Sequence, residues 1–317
     1  MLKKLVQILI IGTIIIFPGF SQKSPTTVIL DTDMGLDDAR ALALLFCSPN
    51  IQIKAVVTSD GSSSPEAGYE NVQRIFRYMN ITPIPTGIGG PINTPPWREK
   101  SNTLGWTQWP PPDQPKKKPP RAMTIIESAL NHEKQPVTYI CLGPLTNLAE
   151  VIQKDRNILK HVTRVLYFGN APDSKNPAWN TLRDIKAATL VFESSIPVWS
   201  FAPSGDNPIP FDKSLYDRID KINTPAAWLI ALTHRDPRVQ KQFGTKHSMI
   251  WDETIILYLN KPELVASMER TDKNPMFRFT AWDKKKAVKL YLDLLKNDRP
   301  SIVKSMEPSS GQDLQHD

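Results

Sequence analysis

The chain has 317 residues, 40% of them hydrophobic and 22% charged, with a formal net charge of +7. That length and apolar content exclude a disordered or fibrous chain and suit one large α/β domain or two small ones. The basic runs at 116–118 and 284–286 are not interleaved with aromatics, so they read as solvated faces and no nucleic-acid platform is indicated.

At the amino end Lys3 and Lys4 precede an apolar run over 5–17, and Gly19-Phe20-Ser21 places small residues at the −3 and −1 positions. This predicts a signal peptide over 1–21, cleaved after Ser21, and export to the periplasm or the outside. The run is short for a membrane span, so no stable membrane insertion is expected after cleavage; an uncleaved anchor is the competing reading. Cys47 and Cys141 both lie in apolar surroundings and are expected as buried free thiols, although an exported chain permits a disulfide.

Residues 28–30 (Val-Ile-Leu) predict a buried strand, and 39–46 is a helix former throughout. Between them stand four carboxylates, Asp31, Asp33, Asp37 and Asp38, with Gly35 at the turn. One of Asp37 and Asp38 is explained by helix capping. Four are not, because carboxylates this close repel unless a cation neutralises them or some are protonated. An all-oxygen set suits a hard divalent cation, Ca²⁺ or Mg²⁺, and the spacing is wrong for an EF-hand.

A second strand is predicted over 51–58 with a polar exit at 58–64, then a helix over 65–79 and a third strand over 82–86. Residues 88–120 break the rhythm, being dense in Gly and Pro and carrying Trp97, Trp106 and Trp109. Such a loop is expected to fold over something, either as a lid or on the domain's own surface. A helix over 122–132, a strand over 137–142, a turn at 142–147 with a helix behind it, and a strand over 162–168 follow. After these come a helix over 184–194, a strand over 197–201, helices over 224–232, 252–259 and 283–296, and a late strand over 277–281. The alternation predicts an α/β fold: an open, mostly parallel sheet flanked by helices, in a single domain over 24–300 with a polar tail over 301–317.

The stretch Asp31-Thr32-Asp33-Met34-Gly35-Leu36-Asp37-Asp38 resembles the amino-terminal fingerprint of the nucleoside hydrolases, Asp-x-Asp-Pro-Gly-x-Asp-Asp, with Met34 in place of proline. Leu142-Gly143-Pro144-Leu145-Thr146-Asn147, Trp179-Asn180 and Trp251-Asp252 are similar to three later landmarks of that family, in the same order. The resemblance implies Ca²⁺-dependent hydrolysis of the N-glycosidic bond of a small-molecule nucleoside or riboside. It implies that Asp33, Asp38, Asp252 and the Leu142 carbonyl hold the Ca²⁺, with Asp33 also the base that activates water. Asp37 would hold the ribose 2′-hydroxyl, Asn180 another ribose hydroxyl, and Asp31 would support the site from behind. A homo-oligomer is compatible with it.

Many members carry a His just before the last Asp, where this chain has Trp251. A Trp-Asp pair is a feature of the purine-specific branch, in which two tryptophans sandwich the base, so the chain leans to purines. Trp106 is the expected partner, Trp179 another aromatic at the site, and core packing the other reading of Trp251. Ala178 stands where the family's Glu grips the ribose 5′-hydroxyl, its companion Asn matches Asn170 or Asn176, and a further pocket residue falls at Ser62 or Asp60. These departures predict a riboside with a different 5′ end, a slow enzyme, or a calcium-dependent ribose-binding homologue that does not cleave. A haloacid-dehalogenase-type phosphatase shares the Asp-x-Asp but offers no use for Asp37 and Asp38.

Overall fold

Val28, Ile29 and Leu30 are fully buried, and in a strand successive side chains point to opposite faces. Val28 and Leu30 enter one apolar core and Ile29 a second, so this strand has a packed layer on either side, the condition that makes parallel strands run apolar without alternation. The computed structural model describes residues 25–98, 103, 118–202 and 208–297. The signal peptide expected over 1–21, Trp106, Trp109 and the tail over 301–317 lie outside the described residues.

In chain order the strands are β1 (Thr26–Thr32), β2 (Ile51–Thr58), β3 (Thr86–Ile88), β4 (Val137–Cys141), β5 (Val162–Tyr167), β6 (Val198–Ser200), β7 (Ile209–Pro210), β8 (Met249–Ile250), β9 (Val265–Arg270) and β10 (Phe277–Trp282). Eight of them form one sheet in the order β3-β2-β1-β4-β5-β6-β10-β9, and β7 pairs with β8. Within the large sheet every pairing is parallel except that of β9 on β10. This is the open, mostly parallel α/β sheet that the strand–helix alternation predicts.

From β1 the chain winds outward to β2 and β3, then returns to the other side of β1 with β4 and winds outward again. The carboxyl ends of β1 and β4 therefore flank a crevice, the place where open α/β sheets bind ligands. Their register holds the two ends level: Asp31 is opposite Cys141, and the Leu142 N–H donates to the Asp31 carbonyl at 2.8 Å.

Helix Leu36–Phe46 is built from strong helix formers and every residue in it but Asp37 is buried, so it is a core helix. It packs with helices Pro225–His234 and Glu253–Asn260 on one face of the sheet; helices Ala122–His132, Thr146–Lys154 and Ile185–Phe192 cover the other. Cys47 and Cys141 are buried free thiols, as expected. Among the described residues no helix is long and apolar enough to cross a membrane.

Some expectations move. The third strand, expected over 82–86, begins only at Thr86, because Pro83 and Pro85 have no N–H for the ladder; the Pro85 carbonyl accepts from the Val56 N–H at 2.9 Å and β3 starts after it. β9 was not expected, since its residues beyond Val265 are exposed and give no apolar periodicity. Nor is Trp97 folded over anything: it is 64% exposed. The stem of its loop is held by polar contacts instead. The fully buried Arg183 donates to the Thr94 and Ile92 carbonyls at 2.7 and 2.8 Å and to Asp60 at 3.0 Å, and Asp60 accepts from the Ile92 N–H at 2.8 Å.

Candidate active site

Asp33 follows the last residue of β1, and the turn after it is made by Met34 at φ +52°. That is a left-handed backbone proline cannot adopt, so the chain turns here by a different route from the proline turn of the fingerprint it resembles. Helix Leu36–Phe46 then begins with Gly35 as its N-cap, and the Gly35 N–H donates to Asp38 Oδ2 at 2.9 Å. Asp38 is thus partly a capping residue, as one reading of the sequence had it. Its other oxygen accepts from the Thr32 hydroxyl.

Asp37, Asp38 and Asp252 converge, each offering a carboxylate oxygen within 4.8 Å of the others. Asp252 comes from more than 200 residues away, at the N-cap of helix Glu253–Asn260. Asp33 lies alongside: one oxygen accepts from the Ser62 N–H at 2.7 Å, and its carboxyl stands against that of Asp38. Two glycines permit this crowding. A Cβ on Gly61 would sit 1.9 Å from Asp33 Oδ2, and one on Gly143 would sit 2.8 Å from Asp33 Cβ.

Burial, and then the charge of Asp38, hold Asp33 well above the usual carboxylate range. Burial and the charge of Asp37 push Asp38 up to about 6. Asp252 is also raised well above its ordinary value, by burial first and then by Asp38, Asp37 and Asp33. Behind them Asp31, fully buried, is pushed by burial to about 7, although it accepts from the Tyr139 hydroxyl at 2.8 Å and the Asn147 amide at 3.0 Å. Burial and mutual repulsion thus oppose full ionisation of Asp33, Asp38 and Asp252, and a bound divalent cation would favour their ionised forms.

The donor set fits a hard cation. All candidate ligands are oxygens, and Asp252 Oδ1 is a buried carboxylate oxygen without a hydrogen-bond partner. The Leu142 carbonyl accepts from the Asn180 amide, which leaves it a second lone pair. Asn180 also donates to the Phe168 carbonyl at 2.9 Å, so both its amide hydrogens are spent bridging the ends of β4 and β5, and its Oδ1 is what remains for a hydroxyl.

These residues open into one cavity of about 380 Å³, large enough for a nucleoside. Asp33, Asp37, Asp38, Leu142, Asn180 and Asp252 line it, together with Trp179, Trp251 and Phe168. Trp251 stands edge-on to Phe168 with ring centroids 5.9 Å apart, and the indole N–H of Trp179 has no hydrogen-bond partner. Ser62, Asn170, Asn176 and Ala178 also line the cavity, whereas Asp60 faces Arg183 and Arg98. Asp33, Asp37, Asp38, Leu142, Trp179, Asn180, Trp251 and Asp252 therefore meet in one place, and of the two candidates Ser62 and Asp60 only Ser62 joins them.

A family model described as inosine-uridine preferring nucleoside hydrolase matches residues 28–299. The chain belongs to the nucleoside hydrolase family. It is, with that family, an N-glycosyl hydrolase. It is 32% identical over 259 residues to the pyrimidine-specific ribonucleoside hydrolase RihA of Photobacterium profundum, covering 76% of this chain and 82% of that one. In fold it is similar to an inosine-guanosine nucleoside hydrolase (TM-score 0.71, 19% identity, 86% of this chain and 98% of the other). It is equally similar to a purine-preferring ribonucleoside hydrolase from Gardnerella vaginalis (TM-score 0.72, 16% identity, 86% and 99%).

Against the fingerprint of that family, the sequence reading passed over several cavity residues: Arg40, Phe168, His234, Gln242, Lys246 and His247. Arg40 falls inside a stretch read only as a helix former, and His234 and His247 lie in no recognisable motif. Gly61 was visible only as part of a polar exit from β2. Its necessity shows in the 1.9 Å clearance to Asp33.

Proposed function

We propose that this nucleoside hydrolase cleaves the N-glycosidic bond of ribonucleosides in a calcium-dependent reaction, with a lean towards purine bases. The observation that carries it is the convergence of Asp37, Asp38 and Asp252, one oxygen of Asp252 buried and unpartnered, beneath a wall of Trp179, Phe168 and Trp251. Asp33, Asp38, Asp252 and the Leu142 carbonyl would hold the ion; Asp37, with an oxygen within 4.8 Å of those of Asp38 and Asp252, would take the ribose 2′-hydroxyl. A Ca²⁺ held there would supply Lewis-acid chemistry, easing deprotonation of the attacking water and helping to orient the ribose diol.

Asp33 has one oxygen fixed by the Ser62 N–H and its carboxyl against that of Asp38; in its ionised form it would take the water's proton. The water oxygen forms a bond to C1′ as the C1′–N bond breaks on the opposite face, and the base leaves with the electron pair and takes up a proton. This predicts inversion at C1′. The carboxylates around the sugar favour the positive charge that develops on it.

Trp251 and Trp179 line the cavity and would supply stacking surface for an aromatic base. The purine lean rests on Trp251 in the position of the family's His. A pyrimidine preference is the second reading, favoured by the similarity to enzymes named as pyrimidine-specific. Ala178 stands where the family's Glu would grip the 5′-hydroxyl, and its N–H donates to Asn170 Oδ1 at 2.7 Å; the missing carboxylate at that position supports a substrate altered there or slow turnover. Export on a leader cleaved after Ser21 belongs to the same reading, and the mass of the mature protein tests it.

A panel of purine and pyrimidine ribosides, assayed for free base with and without chelator, decides among these. Purine release that stops with chelator is expected. Faster release from uridine or cytidine selects the pyrimidine reading. Calorimetric binding of nucleoside with no cleavage selects a ribose-binding homologue.

A further inference from the structure

Arg40 and Glu253 are both buried in the wall behind the acidic cluster, at 4% and 0% exposure. Arg40 lies one helical turn beyond Asp37 on helix Leu36–Phe46, and Glu253 directly follows Asp252. The two halves of the acidic site thus each carry one member of a buried ion pair, joined from Arg40 Nε to Glu253 Oε1 at 2.5 Å.

Each guanidinium nitrogen is engaged. Nη1 lies 2.9 Å from His234 Nε2, Nη2 donates to the Met249 carbonyl at 2.7 Å, and the guanidinium carbon stands 4.3 Å from the centroid of the Phe211 ring. Glu253 uses its second oxygen to accept from the Trp251 N–H at 2.9 Å. Arg40 therefore grips residue 249 directly and residue 251 through Glu253, on either side of the turn that presents Trp251 and Asp252.

His234 completes the fork and is itself committed. Its Nδ1 is 3.0 Å from the Ile230 carbonyl, which can only accept, so Nδ1 carries the proton and Nε2 accepts from Arg40. Burial and the neighbouring guanidinium hold its pKa well below the ordinary value, so the ring stays neutral with both nitrogens used. Although it lines the cavity, His234 cannot deliver a proton to a departing base.

We propose that Arg40 and Glu253 are positioning residues, a brace that sets the separation of Asp252 from Asp37 and Asp38 and the tilt of Trp251 over the cavity. The part of this that concerns the reaction rests on the acidic cluster being the metal and diol site. A buried pair is weak evidence for stability, because apolar replacements of similar volume are often neutral. Its use here is geometric. Arg40 engages Nε, Nη1 and Nη2 in three directions at once, a pattern a lysine cannot reproduce.

The test uses the full chain with Glu253→Gln, nearly isosteric and able to keep only one of the two links, and the double variant Arg40→Met with Glu253→Met. Amide hydrogen exchange over 249–254 and calorimetric Ca²⁺ affinity are read beside the melting temperature. The brace predicts exchange at least tenfold faster in that segment and Ca²⁺ affinity at least tenfold weaker, in variants that still melt cooperatively. Parental exchange and parental Ca²⁺ affinity in folded Glu253→Gln overturn it, whatever becomes of the double variant. If the parent binds no Ca²⁺ and cleaves no riboside, the proposed function falls, and the exchange rates alone decide the brace.

Discussion

Asp31 is the clearest place to test the electrostatics of the site, because it lies behind the cavity and its partners are neutral. It accepts from the Tyr139 hydroxyl on one oxygen and from the Asn147 amide on the other, with no cation beside it. Burial raises its pKa from the ordinary 3.8 to about 7. A folded carboxyl whose pKa lies above its unfolded value supports stability fully below about pH 3.8, and that support is lost as pH rises towards and through about 7. Some three pH decades at 1.36 kcal/mol each put the whole penalty at about 4 kcal/mol, of which roughly 1.5 is already present at pH 5.

Asp31→Asn has the shape of the protonated acid. The Asn147 amide keeps its acceptor, and the Tyr139 hydroxyl can turn to accept from the new amide. In chelator, the advantage of the asparagine over the parent should therefore grow by about 3 kcal/mol between pH 5 and pH 8, on the order of 6 °C in melting temperature for a chain of this size. Urea denaturation at the two pH values with EDTA present measures it. An asparagine variant whose advantage is the same at both would refute the account of a buried, high-pKa carboxyl.

Other consequences can be checked directly. Asp33→Ala should reduce turnover by about three orders of magnitude or more while leaving the fold intact, since a base that removes a proton and a metal ligand are lost together; nucleoside binding by calorimetry separates the two effects. Trp251→Ala should lower kcat/KM for purine ribosides by about tenfold, from stacking worth roughly 1–2 kcal/mol, and equal losses on pyrimidine ribosides would defeat the stacking role. His247 lines the cavity, so His247→Gln should slow natural nucleosides more than p-nitrophenyl riboside, whose leaving group needs no proton; equal slowing of both would rule out a protonating role. Asp60→Asn leaves the fully buried Arg183 without its carboxylate and should cost about 3–5 kcal/mol in urea denaturation, with faster proteolysis in residues 88–98; parental values for both would show that this pair does not hold the loop.

The carboxylates at 31–38 announced their own role, because four charges in eight positions have few physical solutions and the strand and helix on either side can be read from apolar patterning alone. The sheet was legible for a related reason. Strands buried on both faces give unbroken apolar runs, and helices between them give the longer period. β9 escaped because an exposed edge strand owes its pairing to its neighbour and not to burial of its own side chains. β3 was displaced because proline decides where a ladder begins, a matter of missing donors that hydrophobicity does not record.

Short-range chemistry is what the sequence itself determined: the acidic turn, the apolar strands, the likeness of four separated motifs to one family. Long-range distances were decided only by folding. That Asp252 comes to lie within 4.8 Å of Asp37 and Asp38, that Asn180 bridges the ends of two strands, and that Arg40 meets Glu253 across 213 residues all depend on how the layers pack around the crevice between β1 and β4. Periodicity reports which face of an element is buried. It carries no information about which distant polar groups burial will bring together, and that is where the site is made.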